Sequence, residues 1–189
     1  MRRVMKAGIV VAVLVILWAP ATARAEGYVN PWAGVLFGND QAEGDWTWGV
    51  NGGYMGAGII GGEASFGFAP DFYGDADDNY VMDFMGNLIV GIPVGGTSGP
   101  GIRPFLTGGL GLIRTNIDQA GLDPFTSNDF GFNLGAGVMG YFGDHFGLRG
   151  DVRYLRTLSG DDSDGEDDLL GFDLGGFDFW RATIGIVIR

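Results

Sequence analysis

The chain has 189 residues, a formal net charge of −12, no cysteine and 37 glycines. Without cysteine, neither disulfide bonds nor thiol chemistry is available. The acidic balance argues against a nucleic-acid partner, because phosphates need cationic contacts. Glycine far exceeds its usual share of about 7%, yet it follows no triplet period, which excludes a collagen-like chain.

The first 25 residues have the pattern of a secretory signal peptide. Arg2, Arg3 and Lys6 precede an apolar run at residues 7–18, and small residues follow at 23–25. This order predicts cleavage after residue 25. The apolar run is shorter than the roughly 20 residues that a membrane-spanning helix needs. The remaining domain, residues 26–189, holds seven arginines, no lysine and 23 acidic residues, for a formal net charge of −16.

Beyond residue 25, apolar residues alternate with small or polar ones in eight segments. They lie at residues 28–37, 45–55, 59–68, 80–92, 102–116, twice within 129–156, and at 177–189. A period of two indicates β-strands, and residues 129–156 form the clearest hairpin, with a turn at 143–145. Connections after odd-numbered segments are longer and acidic, while the others are short. The sequence predicts an all-β fold: an eight-stranded antiparallel up-and-down transmembrane β-barrel with both termini on the periplasmic side.

The composition of the two strand faces predicts which one is inside. One face is bulky and apolar, and the other is mostly Gly, Ser, Asn and Thr with isolated charges. A water-facing surface would carry many more charges, so we expect the apolar face to meet lipid. Aromatic residues near the strand ends predict an interfacial girdle: Trp46, Trp48, Tyr80, Tyr154 and Trp180. The alternative is a soluble lipocalin-like binding barrel with the apolar face inward.

The inward charges nearly balance and predict a salt-bridge network in the lumen. They are Glu63, Asp83, Arg103, Arg149, Asp151, Arg153 and Arg181. Eight strands enclose a bore that side chains just fill, and buried charges need partners. A filled lumen argues against a general solute pore. The alternative is a narrow channel along the arginines.

No catalytic or cofactor-binding site is predicted. Residues 56–61 and 135–140 match G-x-G-x-x-G, but neither opens a helix as a dinucleotide site requires. The only histidine, His145, falls in a short periplasmic turn beside Asp144 with no serine near it in sequence. A solvated turn residue is favoured over a general base.

An acidic run invites a calcium interpretation. Its residues are Asp161, Asp162, Asp164, Glu166, Asp167 and Asp168. An EF-hand aligned on Gly165 would place glycines at its first and last ligand positions, so that motif fails. The acidic run is either a solvated loop or a weak divalent-cation site. Asp75, Asp77 and Asp78 have the same two interpretations.

The sequence resembles the family of small eight-stranded outer-membrane barrels of the OmpX and OmpA-barrel type, also described as porin-family outer-membrane proteins. The resemblance is most specific at residues 132–154 and in the last segment, 177–189. The family's C-terminal assembly signal is matched at Thr183, Gly185 and Ile188, but Arg189 stands where a terminal Phe is expected. The resemblance implies insertion by the barrel-assembly machinery through the C-terminal strand and a bacterial outer-membrane location.

Together these features predict a non-enzymatic outer-membrane barrel that serves envelope structure or surface interaction through acidic extracellular loops. We expect no cofactor, a monomeric state, contact with outer-membrane lipid and lipopolysaccharide, and possible divalent cations at the loops. A small channel is the second hypothesis. A lipid-modifying enzyme is the third, disfavoured by the position of His145.

Overall fold

The computed structural model describes residues 25–38, 45–70, 78–96, 99–118, 125–158 and 178–189. These residues form eight β-strands: β1 (Ala25–Phe37), β2 (Trp46–Gly56), β3 (Ile60–Pro70), β4 (Asp78–Gly91), β5 (Gly101–Asp118), β6 (Phe125–Tyr141), β7 (Phe146–Thr157) and β8 (Asp178–Ile188). In these ranges no helix is long and apolar enough to cross a membrane. The predicted signal peptide lies outside the described residues except for Ala25, which opens β1.

The strands pair antiparallel in chain order, and β8 pairs with β1 to close a barrel. The predicted eight-stranded antiparallel barrel is confirmed. A path through directly opposed residues starts at Arg114 on β5, passes through β4 and β1, and returns to β5 at Pro104. Pro104 is ten residues nearer the end of the barrel that carries the short turns. The strands are therefore tilted, and positions at one height shift by about 1.25 residues from each strand to the next.

The predicted faces match the structure. Apolar side chains such as Trp48, Phe84 and Leu106 are exposed on the outer wall, while Asn51 and Met85 are buried inside. The chain therefore does not adopt the lipocalin-like arrangement with its apolar face inward. Alternation assigns the faces because successive residues of a strand point to opposite sides of the sheet.

The sequence underestimated the length of the strands at the end that carries the long connections. Pairing between β4 and β5 extends to Asp78 opposite Asp118, and β6 begins at Phe125 rather than at residue 129. The extra residues are mostly polar. The apolar alternation that marked the strands ends where the outer wall ends, although the hydrogen-bonded ladder continues.

The junction between β1 and β8 contains a gap in its pairing. Residues 32–37 of β1 pair with residues 180–185 of β8, and Val29 pairs with Ile188. Between them, Asn30 and Pro31 have no ladder partner on β8. Proline has no main-chain N–H to donate. The barrel therefore closes on a seam that lacks one ladder hydrogen bond.

Candidate functional site: the filled lumen

Four charged side chains form a compact cluster in the middle of the lumen. Glu63 on β3 lies 2.5 Å from Arg149 Nη1 and 2.8 Å from Arg153 Nη2. Asp151 accepts from the Nε atoms of the same arginines, at 2.8 Å from Arg149 and 2.9 Å from Arg153. Arg149, Asp151 and Arg153 alternate along β7 and so share its inward face. Two carboxylates balance two guanidiniums, which is the pairing that buried charges require.

Two aromatic side chains complete this cluster. The Tyr28 hydroxyl donates to Glu63 Oε2 at 2.6 Å, and the guanidinium of Arg149 lies 4.5 Å from the Phe105 ring centroid. Charge-assisted hydrogen bonds and cation–π contacts both strengthen where water is excluded. Sequence analysis did not include Tyr28 or Phe105, although both fall on inward positions of the alternation.

Asp83 and Arg181 form a separate ion pair nearer the long-loop end. Arg181 Nη1 lies 2.5 Å from Asp83 Oδ2, and its guanidinium lies 4.7 Å from the Trp32 ring centroid. A Cβ atom at Gly67 would overlap both the Asp83 carboxylate and the Arg181 guanidinium. Glycine at this position therefore provides the space that the ion pair occupies.

Arg103 lies apart from the other predicted lumen charges, at the end with the short turns. Its Nη2 atom is 3.3 Å from Glu26 Oε2, and Arg189 Nη1 is 3.7 Å from the same oxygen. Both guanidiniums contact the ring of Tyr141, at 5.2 Å for Arg103 and 3.2 Å for Arg189. Gly58 in the β2–β3 turn has a φ of +67°, and a Cβ there would come within 2.6 Å of Arg103.

The structure thus divides the seven predicted charges into three groups rather than one network. Glu26 was not among the predicted charges because it precedes the first predicted segment. Alternation extended back from Tyr28 would have placed Glu26 on the inward face.

Buried amides extend the first two groups separately. Asn133 donates to Asn87 at 2.6 Å, and Asn87 donates to Glu63 Oε1 at 3.4 Å. On the other side of the lumen, Trp32 Nε1 donates to Asn51 Oδ1 at 3.1 Å. Sequence analysis treated these asparagines as ordinary small polar residues, because nothing in the local pattern shows which inward side chains meet.

Apolar layers lie toward both ends of the lumen, and the Asp83–Arg181 pair lies within the layer toward the long loops, where Leu36 is opposite Arg181 and Ile113 is opposite Asp83. The layer toward the long loops consists of Leu36, Ala69, Val81, Met85, Ile113, Leu155 and Phe179. The layer toward the short turns consists of Tyr28, Met55, Ile89, Phe105, Met139, Tyr141 and Val187. The interior is therefore more apolar than the sequence suggested.

The five aromatic residues of the predicted girdle lie on the outer wall at the long-loop end. Trp180 contacts Tyr154 and Phe37, with centroid separations of 5.2 and 6.3 Å. Trp48 and Tyr80 each contact Phe68, at 5.5 and 5.7 Å, and Trp46 is 60% exposed. Among the described residues, the short-turn rim instead exposes Phe142 and Phe146. The predicted girdle residues therefore lie at one rim of the barrel only.

The predicted acidic loop at residues 161–168, with Asp75 and Asp77, lies outside the described residues. Asp78 opens β4. In the described ranges no group of three or more His, Asp or Glu side chains could hold a metal ion. His145 is exposed in the turn between β6 and β7, where its carbonyl oxygen accepts from the Arg189 N–H at 2.9 Å.

A closed eight-stranded barrel with an apolar outer wall and a charged, filled lumen is the architecture of an outer-membrane protein. The family model for the outer membrane protein beta-barrel domain matches residues 9–176. This chain belongs to that family. The family places the protein in the bacterial outer membrane. No curated protein matches the chain in sequence.

Solved outer-membrane barrels share the fold. Neisserial surface protein A is 14% identical, with a TM-score of 0.64, over 87% of this chain and 98% of that one. The N-terminal β-barrel domain of Pseudomonas aeruginosa OprF is 18% identical, with a TM-score of 0.58, over 88% and 97%. Ail of Yersinia pestis, in complex with the heparin analogue sucrose octasulfate, is 11% identical, with a TM-score of 0.53, over 87% and 98%. At these identities the likeness shows the fold alone.

Proposed function

We propose that this family member is a non-enzymatic, monomeric barrel with a closed lumen, which serves envelope structure or surface interaction through its extracellular loops. The observation that carries the proposal is the filled lumen, in which apolar layers toward both ends pack around charges that have partners. Leu36, Met85, Ile113, Leu155 and Phe179 in the long-loop layer are each at most 1% exposed. An ion that entered would lose its hydration shell among apolar side chains and among charges that already have partners, and narrow constrictions close channels in this way.

Conductance across a planar lipid bilayer tests the closed lumen. The refolded protein should give no steady ion current. A double variant, Leu155→Ala with Phe179→Ala, removes two large side chains from the long-loop layer and should produce measurable openings. Steady current through the unmodified protein would overturn the proposal. If neither protein conducts, the second apolar layer suffices to close the lumen, and the proposal stands.

A narrow channel is the second candidate, favoured by buried polar atoms that lack a hydrogen-bond partner. Among the described residues these include Ser65 Oγ, Thr107 Oγ1, Asn133 Oδ1 and Arg153 Nη1. Such atoms are usually satisfied by ordered water, and connected water could conduct ions. The bilayer measurement decides between the two candidates, because only the channel gives current with the apolar layers intact.

The absence of enzyme activity is a separate part of the proposal. The exposed His145 lies at the short-turn rim, away from the outer leaflet. Release of fatty acid from lipopolysaccharide, measured with the unmodified protein and with His145→Ala, should equal the protein-free background in both cases. Turnover that disappears in His145→Ala would contradict the proposal.

A further inference from the structure

The apolar outer wall ends at a defined height toward the long-loop end of β5, β6 and β7. Its last apolar or aromatic residues there include Leu112, Phe130 and Tyr154, and the next outward positions toward the loops are Arg114 on β5, Asn128 on β6 and Arg156 on β7. With the tilt given by the ten-residue shift, these three residues, Tyr80 and Asp178 lie within a band about 7 Å high, in which Asn128 is the highest and Arg156 the lowest. The polar residues thus form an arc directly above the lipid-facing surface.

This arc covers only one side of the barrel. Arg114 lies directly opposite Met82 and Asn128, and Arg156 lies opposite Phe132 and Asp178. At the same height, Gly38 follows β1 and Pro70 ends β3, and neither offers a side-chain donor. Among the described residues, the nitrogen donors of this rim are therefore on β5, β6 and β7.

The two outward arginines are unusual in so acidic a protein. Beyond residue 25 the chain has seven arginines and no lysine. Arg103, Arg149, Arg153 and Arg181 are buried in the lumen, and Arg189 lies at its short-turn mouth. Arg114 and Arg156 are thus the cations on the outer wall, and both sit where lipid headgroups meet the barrel.

We propose that Arg114, Asn128 and Arg156 form a binding site for the phosphate groups of an outer-leaflet glycolipid. The guanidinium group matches phosphate oxygens with paired donors, and Asn128, directly opposite Arg114, adds an amide donor beside it. Arg156 lies opposite Phe132, which lies opposite Leu110, four residues from Arg114. Two strand spacings and this offset separate the Cα atoms of the two arginines by about 14–16 Å, a span that the two long side chains and a headgroup with two phosphates can bridge together. Its acyl chains lie against the apolar wall below.

The neighbouring acidic residues determine which of the two arginines binds phosphate more strongly. Asp178 lies directly across from Arg156 and offsets its charge. No carboxylate is directly opposite Arg114, whose cross-strand neighbours are Met82 and Asn128. Arg114 is therefore the stronger phosphate ligand. This site is on the outer wall, so its existence does not depend on whether the lumen conducts.

Equilibrium binding to the refolded full domain in lipid nanodiscs tests the site. The probes are lipopolysaccharide, the same glycolipid after phosphatase treatment, and inorganic phosphate. The variants are Arg114→Gln, Arg156→Gln and their combination, with Arg114→Lys as a charge-conserving variant. Gly143→Asp is the matched control, because it makes the same change in net charge at the opposite rim, where a side chain at Gly143 meets open space.

Loss of one charge-assisted contact should weaken binding of the phosphorylated glycolipid about tenfold in Arg114→Gln and less in Arg156→Gln. Arg114→Lys should lose less affinity than Arg114→Gln, because it keeps the charge but not the paired donors, and Gly143→Asp should bind as well as the unmodified protein. Equal affinity for the phosphatase-treated glycolipid would overturn the proposal, as would an unaffected double variant or an equal loss in Gly143→Asp. Inorganic phosphate that binds as tightly as the glycolipid would overturn the assignment to a lipid. Gel mobility before and after heating confirms that each variant is folded.

Discussion

The side-chain amide of Asn30 donates a 3.1 Å hydrogen bond to the main-chain oxygen of Ile186 across the seam between β1 and β8. The register places Pro31 opposite Ile186, and proline cannot donate to that oxygen. The Asn30 side chain therefore takes the place of the missing main-chain donor. Gly185 permits this arrangement, because a Cβ there would overlap the Asn30 amide.

Removal of this amide should weaken the seam. We expect Asn30→Ala to lower the free energy of unfolding by about 1–3 kcal/mol, because a buried carbonyl loses its donor. Replacement of Pro31 by Ala restores a main-chain N–H, so the double variant Asn30→Ala, Pro31→Ala should recover part of the loss. Urea unfolding in lipid vesicles measures both. Equal stability of the single and double variants would show that the seam does not limit stability.

Substitution of Gly67 should disturb the Asp83–Arg181 pair. The added methyl group of Gly67→Ala overlaps both charged groups, and we expect a destabilisation of about 1–3 kcal/mol. Gly52 is the matched control, because a Cβ there contacts nothing within 4 Å. Unfolding of Gly52→Ala should be unchanged or slightly more difficult, since alanine restricts the unfolded chain. Equal effects at the two glycines would count against the steric explanation.

Neutralisation of Glu63 should be the most damaging change in the lumen. Glu63→Gln leaves Arg149 and Arg153 with Asp151 as their remaining carboxylate, and breaking a buried ion pair costs about 3–5 kcal/mol. Glu26→Gln is the control, because the Glu26 side chain is 24% exposed and a solvated pair contributes about 1 kcal/mol or less. Comparable losses in the two variants would mean that burial does not set the strength of these pairs.

The C-terminal residue offers a test of assembly. The family resemblance predicts a terminal aromatic that the assembly machinery recognises, and Arg189→Phe supplies it. We expect a larger fraction of heat-modifiable barrel in the outer membrane of cells with limiting assembly machinery. Arg189→Ala separates recognition from the lost contacts with Tyr141 and Glu26. If Phe and Ala behave alike, the aromatic group is not the recognised feature.

Tryptophan fluorescence can verify the faces. Trp46, Trp48 and Trp180 are 42–60% exposed on the outer wall, whereas Trp32 is 6% exposed inside the lumen. In variants that retain one of these tryptophans, lipids brominated near the headgroup should quench the first three and leave Trp32 bright. Stronger quenching by bromine at the end of the acyl chain would place the aromatic girdle too deep for an interface.

Much of the fold could be predicted because strand alternation is a local property. Whether Phe84 points outward and Met85 inward depends only on their neighbours in the chain. The number of strands and the side that carries the long connections followed from the spacing of the same pattern. Strand ends were less accurate where polar pairs such as Asn116 opposite Tyr80 continue the ladder above the apolar wall.

The sequence by itself determined the strands, their faces and most of the inward charges, although not Glu26. Only the tertiary structure decided which charges meet. Glu63 and Arg149 are separated by 86 positions in the chain, and Arg103 pairs with Glu26 rather than with the central cluster. Alternation specifies the side of the wall on which a side chain lies. Its height and partner depend on strand register and on the tilt of the closed barrel, which are set by all eight strands together.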